Sequence, residues 1–159
     1  MKTLIYTITF LILVNSGLFA QSKKEVKKNK ISSSRVTVTE NGKTIAESTR
    51  KFDASGNEIE FTDYNKDGKI KEIHHFKYNA KGDEIEDEQR DSSNKVVQKK
   101  VTKYNALDDK TEELYYDASN KLIKKHSYTY DKKGLKIERK TLDGNGKVIA
   151  IKKHSYSFK

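Results

Sequence analysis

From Val38 to Phe158 the chain alternates between short runs rich in Ile, Val, Tyr, Thr and Lys and punctuation made of Gly, Asn and Asp. Most runs end on an aromatic residue followed by Asp or Asn: Phe52-Asp53, Tyr64-Asn65, Tyr78-Asn79, Tyr104-Asn105, Tyr116-Asp117 and Tyr130-Asp131. Arg90-Asp91 and Leu142-Asp143 are weaker members, with Val38 and Tyr156 at the ends. The anchors are spaced alternately by 14 and 12 residues, so the unit is 26 residues in two unequal halves. Four residues after each anchor stand Gly42, Gly56, Gly68, Gly82, Asn94, Asp108, Asn120, Gly134 and Gly146. Every one is a type that tolerates a left-handed backbone.

The turn chemistry gives this punctuation its meaning. Asp-x-x-Gly opens a type I turn that closes on a residue of positive φ, a three-residue hairpin loop with a bulge. The first Asp or Asn bonds the turn backbone. The intervening runs of about eight to ten residues are β-rich and flanked by turn signals, which marks them as strands rather than helices. The prediction is an all-β chain, an antiparallel meander of about ten strands built from 26-residue double-hairpin repeats between roughly Arg35 and Phe158.

The turn also predicts a register. With Asn65 opposite Lys69, Glu60 faces His74, and equivalent positions pair Glu86 with Lys100, Glu112 with His126 and Glu138 with Lys152. A carboxylate meets a basic side chain each time, a favourable cross-strand pair. Alternation then places Phe52, Tyr64, Phe76, Tyr78, Tyr104, Tyr116, Tyr128, Tyr130, Tyr156 and Phe158 on the face of these glutamates, with Phe61 and Tyr115 on the other. That other face mixes Ile45, Ile59, Ile73, Ile85, Val97, Ile123, Ile137, Ile149 and Ile151 with Lys and Glu. Neither face reads as a clean core, so the expected sheet is largely single-layer, twisted or curled.

One turn, DYNKDGKI from Asp63 to Ile70, also matches the opening of an EF-hand loop. An EF-hand needs a bidentate Glu at loop position twelve and a helix on each side; this chain has His74 there, and its flanks are strand-like. The stretch reads as a turn, and no metal or other cofactor is expected.

The first twenty residues, MKTLIYTITFLILVNSGLFA, follow a different pattern: Lys2, an apolar run from Leu4 to Val14, then Asn15, Ser16 and Gly17. This is the layout of a cleavable signal peptide over residues 1–20, with Ala20 at the cleavage position. Residues 21–34 read as a basic flexible linker and 35–159 as the β-hairpin repeat domain. The expected destination is secreted or periplasmic, with no transmembrane span after signal removal. With no cysteine in the chain, a disulfide framework and attachment of lipid to an N-terminal Cys are both excluded. Hydrophobic residues make up 33% and charged residues 35%, a balance near that of disordered chains, but the regular aromatic spacing argues for a folded repeat.

At the best-formed repeat, YTYDKKGL from Tyr128 to Leu135, the sequence resembles the Tyr-x-Tyr-Asp-x-x-Gly core of RHS/YD repeats. FKYNAKGD, from Phe76 to Asp83, is a looser version. The resemblance spans about Val38 to Phe158 and implies an extracytoplasmic β-sheet scaffold of the kind found in large secreted or surface proteins. The chain is far too short to form the closed shell of that family, and the resemblance transfers no catalytic residue.

Candidate chemistry is sparse. His74 and His126 share a repeat column but stand four strands, about 19 Å, apart, too far to share a metal across a flat sheet. Glu60, Glu86, Glu112 and Glu138 stand two strands, about 9.6 Å, apart, somewhat beyond either glycosidase geometry. An enzyme is not expected, and a carboxylate-dependent hydrolase is the remote alternative. Binding fits better. The formal net charge is +10 and lysines recur at Lys43, Lys69, Lys95, Lys121 and Lys147. The expected binding residues are Tyr78, Tyr104, Tyr128 and Tyr130 with Lys69, Lys95 and Lys121. The function expected is a non-catalytic scaffold for an unknown envelope protein or glycan, the alternative an electrostatic binder of anionic polysaccharide or lipopolysaccharide. Lysine also serves solubility and guards strand edges. Nucleic acid is not an expected partner, whereas edge-to-edge self-association is open to such a sheet.

Overall fold

In the computed structural model, residues 22–159 are described; the expected signal peptide, residues 1–20, lies outside them. A short helix, α1 (Lys23–Lys28), is followed by ten strands: β1 (Ser33–Glu40), β2 (Lys43–Phe52), β3 (Glu58–Tyr64), β4 (Ile70–Tyr78), β5 (Glu84–Asp91), β6 (Val96–Tyr104), β7 (Lys110–Asp117), β8 (Leu122–Tyr130), β9 (Lys136–Asp143) and β10 (Val148–Lys153). They form one antiparallel sheet in sequential order, an open meander in which β1 and β10 are the free edges.

The turns explain why this sequence folds so. All nine punctuation residues have positive φ, from 62° at Asn120 to 87° at Gly82. In the eight turns after the first, the leading Asp or Asn accepts two backbone N–H groups through one carboxylate or amide oxygen; Asp117 takes those of Ser119 and Lys121 at 2.9 and 3.0 Å. Its own N–H donates to the Lys121 carbonyl at 3.0 Å, and Asn120 N–H returns to the Asp117 carbonyl at 2.9 Å. The first connection is tighter, with Asn41 and Gly42 both at positive φ, the two-residue hairpin turn that matches strand twist.

A second irregularity was not legible in the sequence. In each of these eight hairpins the second residue of the outgoing strand is skipped by the pairing: Ile59, Lys71, Ile85, Val97, Thr111, Ile123, Ile137 and Ile149. These are strand bulges, with two residues opposing one. Beyond each bulge the register differs from the expected one by a residue. Glu60 faces His75, Glu86 faces Val101, Glu112 faces Ser127 and Glu138 faces Lys153, rather than His74, Lys100, His126 and Lys152. A one-residue slip exchanges faces. Phe61 and Tyr115 accordingly join the aromatic face, where Phe61 and Phe76 flank the His74 ring and Tyr115 and Tyr128 flank that of His126. Tyr64 and Tyr116, each adjacent in its strand to Asp63 or Tyr115, turn to the opposite face with the Glu60 column.

The sheet has no apolar core of its own. Val26 of α1, 1% exposed, is the one buried hydrophobic side chain among the described residues. The sheet is held instead by its ladder, by cross-strand ion pairs such as Lys77–Glu86 and Lys103–Glu112, and by lysine and arginine heads over rings, as Lys124 over Tyr115 at 3.9 Å.

The expected linker is also different from what the structure shows. Ser22 and Glu25 form a reciprocal capping box at the start of α1, and Ser33 and Ser34 already belong to β1. The helix packs on the β2–β3 turn. A Cβ at Gly56 would stand 2.5 Å from the Lys23 carbonyl oxygen, so only glycine lets the two backbones approach.

Candidate functional site

The expected binding residues fall into two places. Tyr78, Tyr104 and Tyr130 end β4, β6 and β8 at one rim of the sheet. Lys69, Lys95 and Lys121 precede the same strands at the opposite rim, about 30 Å away for a nine-residue strand. The structure therefore does not bring the two sets together. The lysine side chains are exposed. Their backbone N–H groups bond the side chains of Asn65, Asp91 and Asp117, so two of the three lysines stand beside a turn carboxylate.

The tyrosines have a repeated internal task. Tyr78, Tyr104, Tyr130 and Tyr156 each donate their hydroxyl to a carbonyl twenty residues earlier, those of Glu58, Glu84, Lys110 and Lys136, at 2.7, 3.0, 2.8 and 2.8 Å. Each thus clips the end of one hairpin to the start of its first strand. Tyr128 is different: its hydroxyl donates to Glu113 at 2.5 Å.

Glu113 centres a polar cluster on the aromatic face. It is 9% exposed and also accepts from Lys110 at 2.7 Å and from Tyr115 at 3.3 Å. Burial pushes its carboxyl upward, but the Lys110 and Tyr128 hydrogen bonds outweigh this and hold it below the usual carboxylate range. Burial, then the Glu113 charge, pushes the Tyr115 hydroxyl up to about 12. On the same face His74 bonds Asp87 at 2.7 Å, and Lys100 approaches both Asp87 and Glu84 at 3.5 and 2.8 Å. The Asp87 hydrogen bond raises the His74 pKa. His126 has no carboxylate partner of that kind; burial and then Arg139 lower its pKa, and Thr141 shares a hydrogen bond with its Nδ1 at 3.0 Å. The glutamates of the hydrolase alternative are ion-paired, Glu60 to Lys51, Glu86 to Lys77, Glu112 to Lys103 and Lys125, and Glu138 to Lys140.

A further surface escaped the sequence reading. Between α1 and the β2–β3 and β4–β5 turns lies an open cleft of about 1030 Å³ bordered by Lys23, Lys24, Lys27, Asn57, Phe76 and Tyr78. The Ser22-x-x-Glu25 capping box is the signal that could have located its helical wall. Among the described residues no group of His, Cys, Asp and Glu is placed to hold a metal, and no helix is long and apolar enough to cross a membrane.

No protein-family model matches the sequence, and no curated protein does. Among solved structures, the chain is similar to a protein of unknown function (BF3112) from Bacteroides fragilis, at 14% identity and TM-score 0.42, over 82% of this chain and 96% of that one. It is also similar to a DUF3836 family protein from Bacteroides vulgatus, at 14% identity and TM-score 0.26, over 70% and 99% of the two chains. A third likeness is to TarM, at 19% identity and TM-score 0.32; it covers 79% of this chain and spans 22% of the TarM chain. At these scores the likenesses bear on neither activity nor partner.

Proposed function

We propose that this chain is a non-catalytic, extracytoplasmic β-repeat scaffold that offers an extended sheet to an envelope protein or glycan. The observation that carries this reading is the commitment of the repeated polar groups to the sheet itself. The tyrosine hydroxyls at 26-residue intervals clip hairpins, the turn Asp and Asn side chains hold turn backbones, and the Glu60 column is ion-paired. What recurs is architecture, and the variable positions between are left for recognition. The secretory pattern of residues 1–20 supplies the extracytoplasmic part. The single Tyr-x-Tyr-Asp of residues 128–131, set at a hairpin that Tyr130 clips, supports kinship in design with RHS/YD repeats.

A second reading, binding of an acidic surface glycan, is favoured by Lys24 and Lys27, which border one cleft with Lys23, although Lys23 already acts on the Asp53 carboxylate in that cleft. Capture from the producer's envelope extract at low and high salt separates the two. A discrete protein retained at high salt supports the scaffold; a glycan released by salt supports the second reading. Recovery of a hydrolysed glycan product, lost in Glu86→Gln and Glu112→Gln, would overturn both in favour of the hydrolase.

A further inference from the structure

The cleft under α1 combines three features that a featureless basic surface lacks. Its helical wall presents Lys23, Lys24 and Lys27, and the acid of that helix, Glu25, is turned back to cap Ser22. Its floor holds Asn57, 8% exposed, whose Nδ2 is fixed by a 2.7 Å bond to Asp53. That bond fixes the amide's orientation and leaves Oδ1 as a buried acceptor with no donor. A buried acceptor in this state costs the fold free energy until something donates to it. The third wall carries the rings of Phe76 and Tyr78. Lys77 and Lys81 also border the cleft but are already paired, with Glu86 at 2.6 Å and Asp108 at 2.5 Å. Gly82 keeps the floor open: a Cβ there would meet Lys23 Nζ and would lie 3.6 Å from Asn57 Oδ1.

We infer that this cleft is a subsite for a negatively charged sugar residue of an acidic glycan. The inference rests on the glycan-binding reading and places its contact at α1 rather than at the lysine rim. The sugar's anionic group meets the α1 ammonium groups, one hydroxyl donates to Asn57 Oδ1 once the side chains that now cover that atom part, and an apolar ring face lies against Phe76 and Tyr78. A neutral sugar lacks the first contact and an inorganic anion lacks the other two. The rim lysines Lys95 and Lys121, by contrast, each sit beside the carboxylate of their own turn.

The test uses calorimetric titration of the whole described chain with a tetrasaccharide alternating uronic acid and N-acetylhexosamine, its carboxyl-reduced counterpart, and inorganic sulfate. The variants are Lys24→Gln with Lys27→Gln, and Lys69→Gln with Lys95→Gln and Lys121→Gln, their folding checked by thermal melts. All five positions are exposed, and the folds should survive. The expected result is that the acidic tetrasaccharide binds, that the other two probes bind about tenfold weaker or not at all, and that the α1 pair loses about tenfold while the rim triple keeps its affinity. Loss in the rim triple alone overturns the α1 site but leaves the glycan reading standing. Sulfate binding as tightly as the tetrasaccharide overturns the sugar contact. No binding by any acidic probe overturns the subsite, and failure of acidic envelope glycans to be retained in the low-salt capture then removes the glycan reading as well.

Discussion

The two ends of the sheet follow the same repeat and finish differently. At the N-terminal end, α1 lies over the β2–β3 turn, Gly56 is buried beneath it, and Val26 is sealed at 1% exposure. At the C-terminal end the last hairpin has no such cover: Val148, Ile149 and Ile151 are 45, 58 and 52% exposed and β10 offers an unpaired edge. The strands need no core at either end, because turns, ladder and side-chain clips form them locally. What the helix adds is a small tertiary contact that makes one set of repeat positions sensitive where their equivalents are tolerant.

The largest effect should come from removing that contact. Val26→Asp forces a carboxylate into the helix–turn junction and should cost at least the roughly 1.5–3 kcal/mol of a buried aliphatic side chain. Hydrogen exchange should accelerate in α1 and the Asp53–Asn57 turn and stay unchanged in β7–β9, as expected where each repeat contacts only its neighbours. Uniform acceleration through the sheet would show that the ends are coupled.

A smaller, sharper contrast is between Gly56 and Gly134, equivalent positions with φ of 81° and 77°. Gly134→Ala meets open space and should cost only the left-handed strain, about 1–2 kcal/mol. Gly56→Ala adds a collision with the Lys23 carbonyl and should lower the melting temperature visibly further. Equal shifts would mean that α1 yields without cost.

The hydroxyl clips grade in the same direction. Tyr78→Phe removes a half-buried bond and leaves the Glu58 carbonyl short of a donor, for about 1 kcal/mol. Tyr156→Phe removes the same bond where the ring is 46% exposed and water replaces it, so its denaturation midpoint should move less.

The smallest effect separates two histidines of one column by the sign of their pH dependence. Asp87 raises the His74 pKa, so that pair stabilises the fold fully below about pH 6.5 and less as pH rises through the folded value. Burial and Arg139 lower the His126 pKa, so its contribution is present above about pH 6.5 and is lost as pH falls through the folded value. Denaturant midpoints between about pH 5 and 8 should therefore show His74→Gln relatively weakest at the acidic end and His126→Gln relatively strongest there, each by less than about 1 kcal/mol.

These contrasts also mark what the sequence could and could not disclose. Turn geometry is written in local residue types: Gly68 or Asn94 states its own positive φ, so the ten strands and their order follow from spacing. The strand bulges have no such mark. Seven of the eight bulge residues are Ile, Val or Thr and the eighth is Lys71, but β-branched residues are equally the ordinary residues of a regular strand, so nothing at the position announces a bulge. The register, and with it the sharing of Phe61, His74 and Phe76 on one face, could not be read without it. The cleft failed to show for a related reason. Its lysines look like a solvated charge run until a single apolar residue, Val26, docks them, and one apolar residue makes no periodic pattern.

The near absence of buried apolar side chains has a calorimetric consequence. Unfolding raises heat capacity chiefly by wetting apolar surface, while wetting polar surface lowers it. Most aliphatic side chains of this sheet already touch water, so the increment per residue should fall below the ordinary value of about 12–15 cal/mol/K. The stability of such a protein changes little with temperature over a wide range, and its cold denaturation lies far below that of a domain folded around oil.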